Sequence, residues 1–211
     1  MDKTILTNGK LYLQYSMESD LLCLGERIRG SVFRPCLDVF TYTGLVGALK
    51  ARFPCPYRSI HAAGRFLHAR RELLVFSPRD RGRETSVVPL EIECLVDVQA
   101  HLYVGLNDFT ATWPQQFQFR LGAMKSKGFG ECRVTKLGVV KAGEPRPGRL
   151  AMRIPDEPNV LEALGIAKVE APVLGYLFQP DRGGTGHYVR ALFEGSLVVA
   201  DPILLKEDQH A

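Results

Sequence analysis

The 211-residue sequence predicts a mixed α+β chain. Two observations predict this class. Several stretches alternate apolar and polar residues with the period of two that half-buried strands show. Between them lie stretches whose apolar residues recur at helical spacing, close to a capping residue or a proline. The hydrophobic fraction of 45% is ample for a buried core.

The first predicted elements are a strand and a helix. Lys10–Met17 alternates leucine and tyrosine with polar residues, as a half-buried strand does. In the later segment TYTGLVGALKARF, Thr43 is expected to cap a helix that carries Leu45 and Leu49 at helical spacing. Pro54 is expected to end this helix.

Four further elements complete the first part of the chain. Glu72–Phe76 and Val87–Val98 predict strands, and the second of these has the clearest alternation in the sequence. Thr112–Lys125, with Pro114 in its first turn, predicts a second helix, and Cys132–Val140 predicts the next strand. The order strand, helix, strand, strand, helix, strand is that of a ferredoxin-like fold, which also underlies RNA-recognition modules.

A break in periodicity divides the chain. The segment Ala142–Arg149, AGEPRPGR, contains two prolines and two glycines, so we expect a ferredoxin-like module over residues 1–141. Residues 142–211 are too few for a confident independent core, and we expect a smaller β-rich part packed on the first. Its predicted elements are a short helix and three strands, near Val160–Leu164, Val173–Phe178, Tyr188–Phe193 and Ser196–Val199.

Positive charge is concentrated in one region, although the formal net charge of +4 is modest. Between positions 52 and 83 the acids are Glu72 and Asp80. The arginine guanidinium can form two hydrogen bonds with a phosphate and can stack on bases. The composition of this region therefore favours a nucleic-acid partner. A solvated face is the alternative. The block contains eight arginines, Arg52, Arg58, Arg65, Arg70, Arg71, Arg79, Arg81 and Arg83.

A glycine-rich stretch, LGAMKSKGFGECRV, precedes the last strand of the predicted module. Gly122, Gly128 and Gly130 surround Lys125 and Lys127. The stretch lacks the GK[ST] end of a P-loop, and it joins a predicted helix to a strand rather than a strand to a helix. Exposed amides beside two lysines suit a polyanion, with a solvated connection as the alternative. We expect a side chain at Gly128 or Gly130 to block RNA while the fold survives.

Two motifs resemble one known family. The GFG sequence at positions 128–130, after a basic stretch, resembles the glycine-rich loop of the RAMP superfamily, the RNA-binding proteins of CRISPR systems. The TYTG entry into the first helix is similar to the small-residue turn that precedes the first helix in that family. Together with the predicted element order, the resemblance covers about the first 140 residues and implies RNA binding.

The position of the glycine loop separates the members of this superfamily. A loop in mid-chain followed by a smaller part resembles the subunit that caps the backbone of a class one effector and holds the 5′ handle of the guide RNA. The short length and the first-helix sequence are most similar to the capping subunit of type IV systems. The resemblance implies a cytoplasmic ribonucleoprotein in defence against foreign nucleic acid, with the backbone RAMP subunit and a large subunit as partners.

Two other members remain open as alternatives. Processing endonucleases of the superfamily cut precursor guide RNA without metal, but they usually carry the loop near the C terminus. The backbone-forming subunit has the loop after its first module and cuts target RNA with an aspartate near the first helix. Asp38 lies near that place, although its spacing to Thr43 is shorter than in that family and no long thumb insertion is evident.

The residues expected to bind RNA belong to the helix entry, the arginine block and the glycine loop. They are Thr43, Lys50, Arg65, Arg70, Arg71, Arg79, Arg81, Arg83, Gly122, Lys125, Lys127, Gly128, Phe129 and Gly130.

The sequence predicts neither catalysis nor a cofactor. Metal-independent RNA cleavage needs a base, an acid and a cation in fixed geometry, and nothing relates His61, His68 and His187 in this way. The histidines lack HxxxH and HxxE spacing, and the carboxylates form no DxD cluster, so no metal is expected. Five scattered cysteines are expected to be reduced core residues.

No apolar run approaches the roughly 18 residues that a membrane span needs. The start, MDKTILTNGK, lacks the apolar core of a secretory leader. We therefore expect a cytoplasmic protein with no membrane partner.

Overall fold

The computed structural model describes residues 10–25, 32–54, 60–77, 82, 88–180 and 185–206. Strands dominate this part of the chain, together with two α-helices, so the prediction of a mixed α+β chain is confirmed. The helices are α1 (Tyr42–Arg52) and α2 (Pro158–Leu164). The strands are β1 (Leu11–Leu22), β2 (Phe33–Arg34), β3 (Ala62–Phe76), β4 (Leu90–Gly105), β5 (Gln116–Arg120), β6 (Glu131–Lys141), β7 (Arg146–Arg149), β8 (Ile154–Pro155), β9 (Ile166–Ala171), β10 (Leu174–Pro180), β11 (Gly186–Leu192) and β12 (Leu197–Ala200).

The largest sheet is built around β1. This strand lies between β4 and β6 and pairs antiparallel with both. β3 pairs antiparallel with β4, and β5 pairs antiparallel with β6. A short parallel pairing adds β2 to β4. The order β3, β4, β1, β6 therefore places the first strand in the middle of the sheet and, among the described strands, β3 at an edge.

The predicted second helix over Thr112–Lys125 is wrong. A 3₁₀ turn at Thr110–Thr112 leads into β5, whose glutamines and arginine are exposed while its two phenylalanines are buried. Phe117 and Phe119 lie opposite Val134 and Cys132 on β6. The sequence QFQFR has the period of a strand, so burial of both rings against β6 outweighs the helix-start signal of Pro114.

Helix α1 forms as predicted, but its N-cap is Thr41 rather than Thr43. The Thr41 side chain accepts a hydrogen bond from the Gly44 amide at 3.3 Å. The helix buries Leu45 and Leu49 and ends at Arg52, two residues before Pro54. The same helix also exposes a row of small residues, which forms one side of the candidate site.

Residues after the predicted break form two small sheets that pack on the first part. Their strand orders are β10, β11, β8 and β7, β12, β9. The second half of the segment where we expect the boundary, Arg146–Arg149, is the strand β7, paired with β12. One hydrophobic cluster contains residues from both parts of the chain, including Tyr15 and Leu45 from the first and Ile154 and Val198 from the second.

Backbone bonds and an ion pair join the two parts at the start of α1. The amide of Tyr42 donates to the carbonyl of Arg153 at 2.8 Å, and the amide of Arg153 donates to the carbonyl of Phe40 at 2.9 Å. The Arg153 guanidinium is bonded to the Glu194 carboxylate at 2.7 and 3.0 Å and lies 4.0 Å from the Phe193 ring centroid. These contacts hold the second part against the helix entry.

The lowered pKa of His61, which is hydrogen-bonded to Tyr42, predicts that the free energy of unfolding depends on pH. The Tyr42 hydroxyl and His61 Nδ1 are 2.7 Å apart. Burial lowers the pKa of His61, and Lys50 and Lys10 lower it further. The unfolded chain, with an ordinary pKa of about 6.5, therefore takes up a proton that the folded chain resists. We expect the free energy of unfolding to fall as the pH drops from about 7.5 to below 6.5.

Urea unfolding at about pH 7.5 and pH 5.5 measures this effect. In His61→Gln the part of the pH dependence that His61 contributes is expected to disappear. An equal loss of stability in the variant and the parent would assign the effect to other groups.

Candidate nucleic-acid interface

The glycine loop is fastened to the end of β1. The amide of Gly130 donates to the carbonyl of Leu21 at 2.7 Å, and the amide of Ala123 donates to the carbonyl of Cys23 at 2.7 Å. Gly122 and Gly130 have φ values of +85° and +79°. A Cβ at Gly122 would lie 2.2 Å from the Cys23 carbonyl oxygen, and one at Gly130 would lie 2.0 Å from that of Leu121. Both glycines are therefore required by the close packing of the chain on itself.

This packing changes the expected role of Gly130. A side chain there collides with protein backbone before it can meet a ligand, so the expectation that the fold survives is revised for this position. Gly128 differs, because it is exposed and a Cβ there meets nothing within 4 Å. Of the two, Gly128 is the position that a partner can approach.

The loop presents its two lysines from a 3₁₀ turn, Lys125–Lys127, which is fully exposed. The Lys127 ammonium lies 4.9 Å from the centroid of the Phe76 ring. Phe129 is buried in a small cluster with Cys23, Ile92 and Cys94, so it anchors the loop instead of offering a ring to a base. Hydrogen bonds and the buried Phe129 ring therefore fix the ends of the loop, and its exposed turn presents the two lysines to solvent.

Helix α1 supplies a flat surface beside this loop. Gly44, Gly47 and Ala51 are exposed at helical spacing, and Thr43 lies half-buried next to them. Side chains this small let a partner approach the helix backbone closely. The sequence TYTGLVGALKA therefore encodes two faces, one of large buried residues and one of small exposed residues.

A hairpin of β10 and β11 faces the helix with aromatic rings. Tyr176 and Tyr188 are 67% and 59% exposed. Phe178 lies opposite Tyr188 across the strands, with their ring centroids 5.6 Å apart at an interplanar angle of 70°. Gly186 leaves room for the Phe178 ring, because a Cβ there would lie 2.3 Å from it. Exposed rings on a hairpin are suited to stack on bases.

These three elements enclose a groove of about 600 Å³. The small residues of α1 form one side, the hairpin aromatics form the other, and Lys125 projects from the glycine loop. Arg153 also lines the groove, where its charge is balanced by Glu194. Its lining comprises Gly25, Leu37, Thr41, Thr43, Gly44, Gly47, Ala48, Ala51, Lys125, Arg153, Tyr176, Leu177, Phe178, Pro180 and Tyr188.

The groove brings together the two motifs that are distant in sequence. Thr43 and Lys125, both expected RNA contacts, line the same space. Gly122 and Phe129 support the loop from inside, as described above. Lys50 is exposed in the last turn of α1 and is not among the groove lining. The sequence did not lead us to expect Tyr176 and Phe178 in the site. The signal that could have found them is the alternation of aromatic residues just before the glycine-rich segment DRGGTG, which is typical of a hairpin.

Of the described arginines in the block, Arg52 ends α1 and Arg65, Arg70 and Arg71 lie on β3. Arg70 pairs with Glu72 and with Asp97, the latter at 3.2 Å. Arg71 lies 3.5 Å from both Asp38 and Glu93. Such exposed pairs contribute little to stability, but they reduce the charge that each arginine offers to a phosphate. Arg65 lines a different cleft, considered below. Arg79, Arg81 and Arg83 lie outside the described residues.

The three histidines considered as catalytic candidates, His61, His68 and His187, lie in separate environments. His61 is bonded to Tyr42, and His68 is exposed on β3. His187 is exposed on β11 opposite Gln179, one residue from Tyr188 and therefore on the other face of the hairpin. Within the described ranges, no group of three metal-ligating side chains could hold an ion. Cys23, Cys36, Cys94 and Cys132 are buried and free.

Among the solved structures that share this fold are two cryo-EM chains. One is a chain of the cryo-EM structure of the Type III-B Cmr-beta bound to cognate target RNA, with a TM-score of 0.60, 10% identity, and coverage of 88% of this chain and 86% of that chain. The other is a chain of the same complex bound to cognate target RNA and AMPPnP, with a TM-score of 0.58, 8% identity, and coverage of 88% and 85%. At these identities the likeness establishes the fold alone.

Neither a family model nor a curated protein sequence matches the chain. Of the helices that the structure describes, none is long and apolar enough to cross a membrane. The case for a function therefore depends on the groove.

Proposed function

We propose that the chain binds the 5′ handle of a guide RNA and caps the backbone of a class one CRISPR effector, without cutting RNA itself. The observation that carries this proposal is the groove of about 600 Å³, called from here on the handle groove, where the TYTG helix entry, the glycine loop and the hairpin aromatics meet. The likeness of the fold to chains of the Type III-B Cmr-beta supports it. A type IV assignment follows from the resemblance of the first-helix sequence.

The groove suits single-stranded RNA whose bases are turned outward. Tyr176 and Tyr188 offer exposed rings for stacking, which contributes about 1–3 kcal/mol per base. Gly44 and Gly47 let the sugar-phosphate chain lie close to α1, and Lys125 is placed to meet a phosphate. Handle recognition needs this combination of shape, stacking and charge.

The lining also supports binding without cleavage. Among the residues that the structure describes, the lining includes no histidine, aspartate or glutamate, which are common general bases at neutral pH. His61, whose Nδ1 is bonded to Tyr42, does not line the groove. A processing endonuclease would need a general base and a general acid in fixed geometry near the scissile phosphate.

The fold assignment that accompanies this proposal is a ferredoxin-like RAMP module over residues 1–141, modified in its second half. The order β3, β4, β1, β6 is the order of a ferredoxin-like sheet, whereas β5 and a 3₁₀ turn stand where the second helix was expected. Residues 142–211 form the second part, and they contribute the aromatic side of the groove. Both parts are therefore needed for RNA binding.

Labelled repeat RNA incubated with the purified chain in EDTA tests the proposed function. We expect a shifted complex and no product. One discrete product with a cyclic phosphate end, lost on His61→Ala, His68→Ala or His187→Ala by roughly 10²- to 10⁴-fold, would instead identify the processing nuclease. Absence of any complex would refute RNA binding. Co-purification with the backbone RAMP subunit and the large subunit is expected for a capping subunit.

A separate control addresses the backbone-forming alternative. Asp38 is exposed and lies 3.5 Å from Arg71. Cleavage of a complementary target RNA that is lost in Asp38→Asn would support that alternative. We expect no such cleavage by this chain.

A further inference from the structure

We propose that a second cleft binds the phosphate backbone of the same RNA where it continues 3′ of the handle. This cleft, called here the basic cleft, has a volume of about 920 Å³. Arg65, Phe66 and Leu67 of β3 line one side, and Arg149 and Lys206 line the other. The inference rests on the proposed function, because it extends the RNA path beyond the handle groove.

Cations from three parts of the chain converge on this cleft. Arg65 belongs to β3, Arg149 ends β7, and Lys206 follows the last 3₁₀ turn. The amide of Lys206 donates to the carbonyl of Arg149 at 2.8 Å, which places these two residues side by side. One guanidinium nitrogen of Arg149 donates to the carbonyl of Gly195 at 3.2 Å. This bond orients the side chain and leaves the rest of its planar fork to meet an anion.

The two carboxylates of the cleft have arginine partners that do not line it, although Arg71 is shared between Asp38 and Glu93. Asp38 lies 3.5 Å from Arg71, and Glu194 is bonded to Arg153 at 2.7 Å. Three cations and two carboxylates line the described part of the cleft, so its net charge is positive. A cleft of this sign attracts a polyanion and concentrates it locally.

Apolar surface beside the cations favours a nucleotide over a bare anion. The Phe66 ring stacks on Phe40 with centroids 4.2 Å apart, and Leu67 is 51% exposed. A base or sugar can lie against Leu67 while its phosphate meets Arg149 or Lys206.

The basic cleft and the handle groove lie on either side of the Arg153–Glu194 ion pair. Arg153 lines the groove, Glu194 lines the cleft, and the two side chains are bonded to each other. Phe40 in the cleft is followed directly by Thr41 in the groove. An RNA strand that leaves the groove can therefore pass over the Arg153–Glu194 pair into the cleft without crossing the body of the protein.

Two RNAs and two double variants test this path by fluorescence anisotropy. One RNA is the handle alone, and the other extends it by about ten nucleotides at the 3′ end. In Arg149→Gln/Lys206→Gln we expect about tenfold weaker binding of the extended RNA and a salt slope lowered by about 1.4, because two phosphate contacts are lost. Binding of the handle alone is expected to stay unchanged.

The matched control is Arg146→Gln/Lys168→Gln, which removes two exposed cations of the same part of the chain from outside the cleft. This control is expected to bind both RNAs like the parent. Unchanged binding of the extended RNA by the cleft variant would overturn the inference and leave handle binding intact. An equal loss in the control would overturn it as well, and failure of the parent to bind either RNA would refute the proposed function.

A crosslinker gives a second, independent readout. With p-azidophenylalanine in place of Leu67, we expect light-dependent crosslinks to nucleotides 3′ of the handle and none to the handle itself. Crosslinks confined to the handle, or none to the extended RNA, would contradict the proposed path.

Discussion

Gly130→Ala is expected to lower the free energy of unfolding by about 3 kcal/mol, whereas Gly128→Ala should lower it by about 1 kcal/mol. Both positions have positive φ, +79° and +91°, so both variants carry the strain of a left-handed residue. Only at Gly130 does the new Cβ also meet a backbone oxygen, that of Leu121, at 2.0 Å. The difference between the variants therefore isolates the collision.

Urea unfolding followed by circular dichroism measures both changes. For a chain of this length, the difference of about 2 kcal/mol corresponds to roughly 4–8 °C in Tm. Equal stabilities of the two variants would mean that the loop relaxes around the new methyl group. It would then follow that the loop is not fixed by its two backbone hydrogen bonds, from the Gly130 amide to the Leu21 carbonyl and from the Leu121 amide to the Gly130 carbonyl.

The second large effect is on RNA affinity. Tyr176→Ala/Tyr188→Ala is expected to weaken handle binding by about 30-fold or more, because each ring supplies roughly 1–3 kcal/mol of stacking. Both side chains are mostly exposed, so their loss should move Tm little. Anisotropy with labelled handle RNA measures the affinity.

The matched control keeps the rings and removes the hydroxyl groups. Tyr176→Phe/Tyr188→Phe is expected to bind within about threefold of the parent, since stacking needs the ring faces. A large loss in this control would assign the contribution to the hydroxyl groups. Unchanged binding in the alanine variant would remove the hairpin from the RNA site.

Regular alternation and local caps made much of the fold predictable. The strand at Cys132–Val140 and the helix entry at TYTG were located within a few residues, because their patterns are local. The start of β3 was missed, since Ala62, Ala63 and Gly64 are buried but too small to produce an alternating signal. The second helix was mispredicted because Pro114 and the residues around it permit a helix start, while the partner strand that buries Phe117 is distant in sequence.

The candidate site was predictable only in part. Its two motifs, TYTG and GFG, were recognised by their resemblance to a known family, but their meeting with Tyr176 and Tyr188 depends on how residues after position 142 fold back on α1. The roles of the glycines were also hidden, because the oxygen that excludes a side chain at Gly122 belongs to Cys23, about a hundred residues away along the chain. Ion pairing of Arg70 and Arg71 likewise depends on tertiary contacts.

Crosslinking with handle RNA that contains 4-thiouridine, followed by peptide mapping, tests the central claim most directly. The account predicts crosslinked peptides from the loop around Lys125 and from the strands that carry Tyr176 and Tyr188. It also predicts that these crosslinks decrease in Tyr176→Ala/Tyr188→Ala. Crosslinks that map elsewhere, with the groove peptides unmodified, would contradict handle binding in the groove.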